Sequence, residues 1–218
     1  MTPQTLIDAV RQADTAQALL QAAQALAAAA GPSSPPEAIQ TLVELLGYNN
    51  PGAAVAAVDG LIAIGPAAVL PLLDGLDEHN YGARAWAVRA LAGIGDVRGL
   101  ELLESALGND IGPSVRRAAA CGLGQLQCEA LPEQERETIR QRCLAALEGS
   151  LGDGEWVVRY AVAVALERLA APLPGSTIQR RACLALEQLA AAAGEDAEVV
   201  RQRAALALQR LTAAQATR

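Results

Sequence analysis

The strongest constraint on this chain is a pattern of residues that recurs five times in one register. The copies align on a reference position occupied by Ala54, Arg84, Arg116, Arg159 and Arg201. The residue three positions after the reference is Ala or Val, and the residue six positions after it is Gly or Ala. The residue seven positions after it is always Leu, and the residue ten positions after it is Leu or Ile. These offsets fall on one face of a helix with 3.6 residues per turn, and the small residue lets a neighbouring helix approach closely. The pattern therefore predicts a helical repeat protein.

The spacing of the copies indicates which kind of repeat this is. Successive reference positions lie between about 30 and about 43 residues apart, and each interval holds a second apolar helix pattern. These second helices are predicted in 66–76, 97–107, 132–151 and 174–193. Paired helices at such a period are typical of solenoids, in which each unit packs mainly on its neighbours. We expect an all-α fold, a HEAT-like α-solenoid (α-α superhelix) of about eleven helices.

The chain outside the repeats fits the same architecture. Thr2 followed by Pro3 is a good start for a helix, and the Ala/Gln/Leu-rich sequence after it predicts one long helix to about Ala30. A second helix should end near Gly47. We expect a single HEAT-like repeat domain over 1–218, with capping helices in 1–47 and five repeat units, the last incomplete, in 48–218.

An acidic residue stands six positions before each reference arginine, at Glu78, Asp110, Asp153 and Glu195. A carboxylate at a helix start can cap free N–H groups and suits the positive end of the helix dipole. It can also pair with the arginine of an adjacent copy, which would give a ladder of ion pairs. The first copy has Tyr48 and Ala54 at these places and lacks both groups.

The composition argues against several functions. All 17 basic residues are Arg, so the chain has no side-chain amine for Schiff-base chemistry. A net charge of −7 with scattered arginines argues against nucleic-acid binding, which depends on neutralising phosphates. No apolar run free of Gly, Pro and charge approaches the roughly 20 residues that span a bilayer, and the start does not resemble a signal peptide. We expect a cytoplasmic protein without membrane insertion.

Cysteine and histidine offer no metal site. The four cysteines contain no CxxC spacing, and a single histidine completes no zinc set. Small buried apolar side chains are the expected role for the cysteines, with a redox or covalent role as the alternative.

Three passages carry more information than the repeat pattern: YNNPGAAVAAVDGLIAIG (48–65), LDEHNYGARAWAVRALAGIGD (76–96) and DGEWVVRYAVAVALE (153–167). With the repeat, they resemble the HEAT-like family of phycobilin lyases, and within it the smaller (beta) subunits of the heterodimeric phycocyanobilin lyases. The resemblance implies a lyase subunit that acts with a larger (alpha) HEAT-like subunit. The pair would attach phycocyanobilin through a thioether to a cysteine of apo-alpha-phycocyanin, with the bilin as substrate and no cofactor of its own.

The resemblance also bears on isomerisation. Isomerising relatives carry a His-Cys pair in the turn that corresponds to Asn49–Gly52, where this chain reads Asn-Asn-Pro-Gly. Attachment without isomerisation is therefore expected. A non-enzymatic HEAT adaptor or chaperone for phycobiliprotein assembly or breakdown is the alternative. A hydrolase using the histidine is disfavoured, because no nucleophile motif accompanies it.

A lyase of this kind must orient a long dianionic ligand, which calls for arginine forks, an apolar wall and a proton donor. Candidates cluster around the second copy. We assign catalytic roles to Asp77, Glu78 and His79, because histidine titrates near neutral pH. Bilin binding is assigned to Tyr81, Arg84, Trp86 and Arg89. Helix capping, ladder pairing, packing or a solvated surface are the ordinary alternatives for these residues.

Partner contacts are assigned to residues at the starts of repeat helices, which should line one edge of the solenoid. The candidates are Tyr48, Asn49, Trp156, Arg159 and Tyr160.

Overall fold

The computed structural model describes residues 1–75, 80–191 and 195–216, with side chains up to residue 213. Packing divides the chain into two compact units, Met1–Gly99 and Leu100–Arg218. The single repeat domain expected over 1–218, with its caps in 1–47, stays a prediction.

The first unit consists of helix pairs arranged in two rows. Its described helices are α1 (Pro3–Arg11), α2 (Ala16–Ala28), α3 (Pro36–Leu45), α4 (Pro51–Ile64), α5 (Val69–Asp74) and α6 (Tyr81–Ile94). Helices α2, α4 and α6 pack side by side in one row, and α1, α3 and α5 form the other.

The second unit repeats this arrangement. Its described helices are α7 (Leu100–Asn109), α8 (Pro113–Leu123), α9 (Glu133–Gly149), α10 (Trp156–Ala170), α11 (Thr177–Ala190) and α12 (Glu198–Ala216). Helices α8, α10 and α12 form one row, and α7, α9 and α11 form the other. Within each unit, the row that contains the repeat copies, α2, α4 and α6 in the first and α8, α10 and α12 in the second, is called its repeat row. The predicted all-α fold of paired HEAT-like helices is confirmed, with twelve α-helices in the described residues against the expected eleven or so.

The single long helix predicted from Pro3 to about Ala30 is wrong. Helix α1 ends at Arg11, and α2 begins at Ala16 after an extended Thr15. The hydroxyl of Thr15 accepts a hydrogen bond from the N–H of Ala18 at 3.1 Å. This cap satisfies one of the free donors of a new helix start, so the chain breaks into two helices.

The predicted repeat register is confirmed in all five copies. The reference residue is the fourth residue of α4, α6, α8, α10 and α12. The residue three positions on is buried in every copy, and so is the small residue six positions on. A Cβ added to Gly60 would lie 3.1 Å from the Cα of Ala27 on α2. The small residue therefore permits close packing between neighbouring helices of the repeat row.

One stretch of the described residues, Pro51–Asp74, is long and apolar enough to cross a membrane by length and composition. Gly65, with φ of 76°, ends α4 within it. More than half of its most apolar window, 56%, is buried inside the protein. A helix of a protein core has the same composition, so this stretch is weak support for a membrane span.

Candidate functional site

In the first unit, the starts of the repeat-row helices lie along one edge. The Nδ2 of Asn50 donates to the carbonyl of Ala16 at 2.9 Å, which joins the start of α4 to the start of α2. A Cβ added to Gly47 would lie 3.2 Å from the Nδ2 of Asn80, which precedes α6. Both asparagines also cap their own helices by accepting a backbone N–H. The predicted common edge is thus confirmed within this unit.

Aromatic and polar side chains project from this edge. The rings of Tyr48 and Tyr81 are both exposed, and so is the side chain of Asn49. Exposed tyrosines offer a flat apolar face and a hydroxyl, a combination that suits contact with a ligand or a protein. Their assigned roles, bilin contact for Tyr81 and partner contact for Tyr48 and Asn49, stay predictions.

Trp86 and Arg89 form a stacked pair on α6. The guanidinium carbon of Arg89 lies 5.7 Å from the centroid of the Trp86 ring, within the range of a cation–π interaction. Trp86 is half-buried and Arg89 is exposed, as their helix positions predict. The pair presents an aromatic ring beside a fixed positive charge. A planar ligand that carries a carboxylate would complement both groups.

Of the remaining bilin and catalytic candidates, only Arg84 is among the described residues. Arg84 is half-buried, and its N–H donates to the carbonyl of Asn80 at 3.0 Å in the first turn of α6. Asp77, Glu78 and His79 lie outside the described residues. All four assignments stay predictions.

In the second unit, a ladder of ion pairs joins the starts of the repeat-row helices. Arg116 on α8 donates from Nε and Nη2 to the two carboxylate oxygens of Asp153, at 2.7 and 2.9 Å. Arg159 on α10 binds Glu195 in the same two-pronged way, at 2.6 and 2.7 Å. The predicted pairing of each arginine with the acid of the next copy is confirmed for these two steps.

Each ladder acid also organises the turn that contains it. The Oδ1 of Asp153 accepts the N–H of Glu155 at 2.9 Å, and its backbone carbonyl accepts Nη1 of Arg159 at 2.6 Å. Glu195 repeats both contacts in its own copy. The neighbouring guanidinium holds the pKa of Asp153 and the pKa of Glu195 below their ordinary values. Both carboxylates are therefore charged at neutral pH and serve the scaffold.

The three candidates for partner contact in this unit differ in how far their side chains are exposed. Trp156 is exposed, Tyr160 is half-buried, and the side chain of Arg159 is only 11% exposed. The guanidinium of Arg159 also binds Asp196 at 2.7 Å. Of the three, Trp156 offers the largest free surface to a partner. Their partner roles stay predictions.

Three of the four cysteines are poor nucleophiles. All four are free, Cys128 and Cys143 are buried, and Cys121 and Cys183 are half-buried. Burial raises the pKa of Cys143 to about 12, and it also raises the pKa of Cys121 and of Cys183. Because the thiolate is the reactive form, these three thiols are largely inert near neutral pH. The expected packing role fits the two buried cysteines, and no cluster able to hold a metal occurs among the described residues.

The helix pairs, the small residues between them and the ion-pair ladder define a HEAT-repeat protein. The sequence model of the HEAT repeats family matches residues 69–167.

Comparison with known proteins identifies the family more narrowly. The chain is 52% identical to the phycocyanin alpha phycocyanobilin lyase CpcF of Synechocystis sp. over 165 residues. These matched residues cover 76% of this chain and 75% of CpcF. The chain is 45% identical to the phycocyanobilin lyase subunit beta of Thermosynechococcus vestitus, over 75% of each chain. The chain belongs to the family of phycocyanobilin lyase beta subunits, as its sequence resemblance implied.

Solved structures agree with this assignment. A chain in the complex of CpcE and CpcF of phycocyanin lyase from Nostoc sp. PCC7120 matches with a TM-score of 0.71 and 40% identity. The match covers 78% of this chain and 97% of the other.

Proposed function

We propose that this chain is the smaller subunit of a heterodimeric bilin lyase of the cytoplasm. With its larger subunit it attaches phycocyanobilin, through a thioether bond, to a cysteine of the phycocyanin alpha subunit. The observation that carries the proposal is the 52% identity to CpcF, a phycocyanin alpha phycocyanobilin lyase, over three quarters of both chains. The match to a chain of the CpcE–CpcF complex supports a heterodimer.

The reaction requires this subunit to orient the bilin and not to supply a nucleophile. The thiol of the client cysteine adds across the ethylidene double bond of the bilin. A C–S bond forms, and the thiol proton passes to the conjugated system, so no oxidant, reductant or leaving group is involved. The raised pKa of Cys143, Cys121 and Cys183 is consistent with a sulfur supplied by the client. Holding the bilin in one geometry can lower the barrier substantially.

The bilin-binding groups lie around the start and first turns of α6. Arg89 and Arg84 bind the two propionates, and the rings of Trp86 and Tyr81 form the apolar wall. The stacking of Arg89 on Trp86 supports this role, because it places a charge for a carboxylate beside a surface for a pyrrole ring. Asp77, Glu78 and His79, which precede α6 in the sequence, hold the pyrrole nitrogens and supply the proton.

Attachment proceeds without isomerisation and without a cofactor belonging to this subunit. The Asn-Asn-Pro-Gly turn at Asn49–Gly52, in place of a His-Cys pair, supports this part of the proposal. Tyr48, Asn49, Trp156, Arg159 and Tyr160 contact a partner protein along the helix-start edges.

A second function is favoured by a different relative. The chain is 47% identical to a phycobilisome maturation protein of Synechococcus elongatus, over 76% of this chain and 78% of that protein. A non-enzymatic adaptor or chaperone would use the same exposed aromatic edges without binding bilin.

Co-expression separates the two functions. This chain is expressed with a larger lyase subunit, apo-alpha-phycocyanin and a bilin source, and covalent bilin fluorescence of the alpha subunit is measured. The lyase proposal expects fluorescence that is lost when this chain is omitted. An adaptor is indicated if the yield of attached bilin is unchanged without it.

Two variants test the assigned site in the same assay. Trp86→Ala and Arg89→Gln should each lower the yield of attached bilin about tenfold. This is the effect expected from the loss of a desolvated cation–π interaction and of a charged hydrogen bond to a carboxylate. Arg117→Gln is the matched control, because Arg117 is an exposed arginine on α8. If both variants keep full yield while folded, the bilin does not bind at this pair.

A further inference from the structure

Two contacts fix how α4 and α6 lie against each other in the first unit. Just before the helix starts, a Cβ added to Gly47 would lie 3.2 Å from the Nδ2 of Asn80. Near the helix ends, a Cβ added to Gly93 on α6 would collide with the side chain of Ile62 on α4. The two helices therefore run side by side in the same direction, and Ile62 faces Gly93 across the groove between them.

Counting back from this contact places two charged residues next to each other. Asp59 stands three positions before Ile62 on α4. Arg89 stands four positions before Gly93 on α6, so each lies about one helical turn nearer the start of its helix. Both occupy the same place in the repeat, five positions after the reference residue, and both side chains are exposed. They lie side by side at roughly the spacing of packed helices, about 8–10 Å.

The groove is lined by apolar side chains one turn further toward the helix starts. Val55 on α4 and Trp86 on α6 each stand seven positions before the two residues that face each other. Val55 is 37% exposed, and Trp86 is half-buried beneath the guanidinium of Arg89. We call Val55, Asp59, Ile62, Trp86 and Arg89 the α4–α6 groove. It offers an aromatic ring and aliphatic side chains between a positive and a negative group.

The carboxylate of Asp59 and the guanidinium of Arg89 do not bind each other. Among the described residues, neither group takes part in a salt bridge, and Arg89 stacks on Trp86 instead. Other arginines and acids on neighbouring helices bind directly, as Arg116 and Asp153 do at 2.7 Å. Two opposite charges held apart across an apolar groove can both bind one ligand that carries a carboxylate and an N–H donor.

We propose that Asp59 accepts a hydrogen bond from a pyrrole N–H of the bilin, on the ring whose propionate binds Arg89. That ring lies on Trp86 and Val55, so the ligand is anchored across α4 and α6 and not along α6 alone. Asp59 acts in addition to the acids that precede α6 in the sequence. Its place beside Arg89 follows from the helix register, and the identity of the ligand rests on the proposed lyase function.

The order of groups in the groove makes Asp59 a specificity-determining residue. The inner pyrrole rings of a bilin carry the nitrogen on one edge and the propionate on the opposite edge, as Asp59 and Arg89 require. An aromatic face with one positive charge would hold any flat carboxylic acid. The carboxylate of Asp59 disfavours acids that offer it no N–H, because two like charges would then lie close together. Asp59 therefore selects pyrrole-containing acids over other planar carboxylates.

Binding of two forms of the ligand tests this role. Phycocyanobilin and its dimethyl ester, in which both propionates are blocked, are titrated into the complex of this chain with a larger lyase subunit. The Kd is read from the bilin absorption. Asp59→Asn should weaken the Kd of both forms about tenfold, since it removes a charged acceptor of the ring N–H. Arg89→Gln should weaken the Kd of the free acid only, because the ester lacks the charge that Arg89 binds.

Glu44→Gln is the matched control for Asp59→Asn. Glu44 is an exposed acid on α3, outside the repeat row, and the substitution removes the same charge. It should bind both ligands like wild type, and circular dichroism melts verify that all three variants fold.

Binding and attachment are measured separately, so this proposal and the lyase function can fail independently. Equal binding by wild type and Asp59→Asn overturns the role of Asp59, even when bilin is attached to the alpha subunit. A loss confined to the free acid also overturns it, because Asp59 would then act only through Arg89. So does a wild type that binds neither ligand. If Asp59→Asn weakens both ligands while even wild type attaches no bilin, the contact stands and the lyase function fails.

Discussion

Replacing Arg159 by Met should destabilise the second unit strongly. The guanidinium donates to both carboxylate oxygens of Glu195, to the carbonyl of Asp153 and to Asp196, all at 2.6 to 2.7 Å. The carboxylate of Glu195 is only 1% exposed. Met fills much of the same volume but removes both guanidinium hydrogen bonds from this carboxylate, which keeps the N–H of Ala197 as a neutral donor.

The magnitude follows from the burial of the acid. Removing one partner of a buried ion pair costs about 3–5 kcal/mol, because the other charge stays in place without compensation. Arg142→Met is the matched control, since the same substitution there removes a pair with Glu104 in which the arginine is 43% exposed. An exposed pair of that kind is worth less than about 1 kcal/mol.

Urea unfolding followed by circular dichroism measures both changes in the free energy of unfolding. The pH dependence adds a second check. Arg159 lowers the pKa of Glu195, so the stability from this pair is present above the ordinary carboxyl pKa and is lost as pH falls through the lowered one. In Arg159→Met the buried acid can protonate, so the deficit should shrink between pH 7 and about pH 4. A loss no larger than that of Arg142→Met, or a deficit that grows on acidification, would show that Glu195 does not depend on Arg159 for its charge balance.

Two further predictions concern packing and thiol chemistry. Gly124→Val should lower the free energy of unfolding, measured in urea, by about 1–3 kcal/mol, because its Cβ would lie 2.5 Å from the Cα of Ala165. Gly108→Ala on α7 is the control: nothing lies within 4 Å of the added Cβ, so the substitution should be neutral or stabilising. Equal effects of the two substitutions would contradict the packing argument. Cys143, whose pKa burial raises to about 12, should resist iodoacetamide at pH 8 in the folded chain and react quickly in urea; rapid alkylation of the folded chain, located by peptide mass spectrometry, would show that the thiol is accessible.

The repeat sequence predicts most of the helical scaffold because its signals are local and periodic. The column of residues seven positions after the reference is Leu in every copy, which fixes the buried face from the sequence alone. The pairing of Arg116 with Asp153 follows from the same register, since an acid and an arginine recur at constant offset. The break before α2 was not predicted, because the helix preference of the surrounding alanines and leucines outweighs the weak capping signal of Thr15.

The contacts that the sequence does not predict depend on three-dimensional packing. Glu167 binds Arg203 and Arg210 on α12, although neither arginine lies at the reference position of its copy. The role of Asp196 as a second acid for Arg159 was likewise missed, because it stands next to the expected ladder acid. The stacking of Arg89 on Trp86 could have been found from their spacing of three residues on one helix.

If this chain is required for covalent attachment of bilin, the intact mass of the alpha subunit depends on its presence. Purified apo-alpha-phycocyanin is incubated with phycocyanobilin, a larger lyase subunit and this chain, and each protein is omitted in turn. We expect a mass increase of one bilin only when both lyase subunits are present, with the absorption of unisomerised phycocyanobilin in acidic urea. The same increase in the absence of this chain would contradict it.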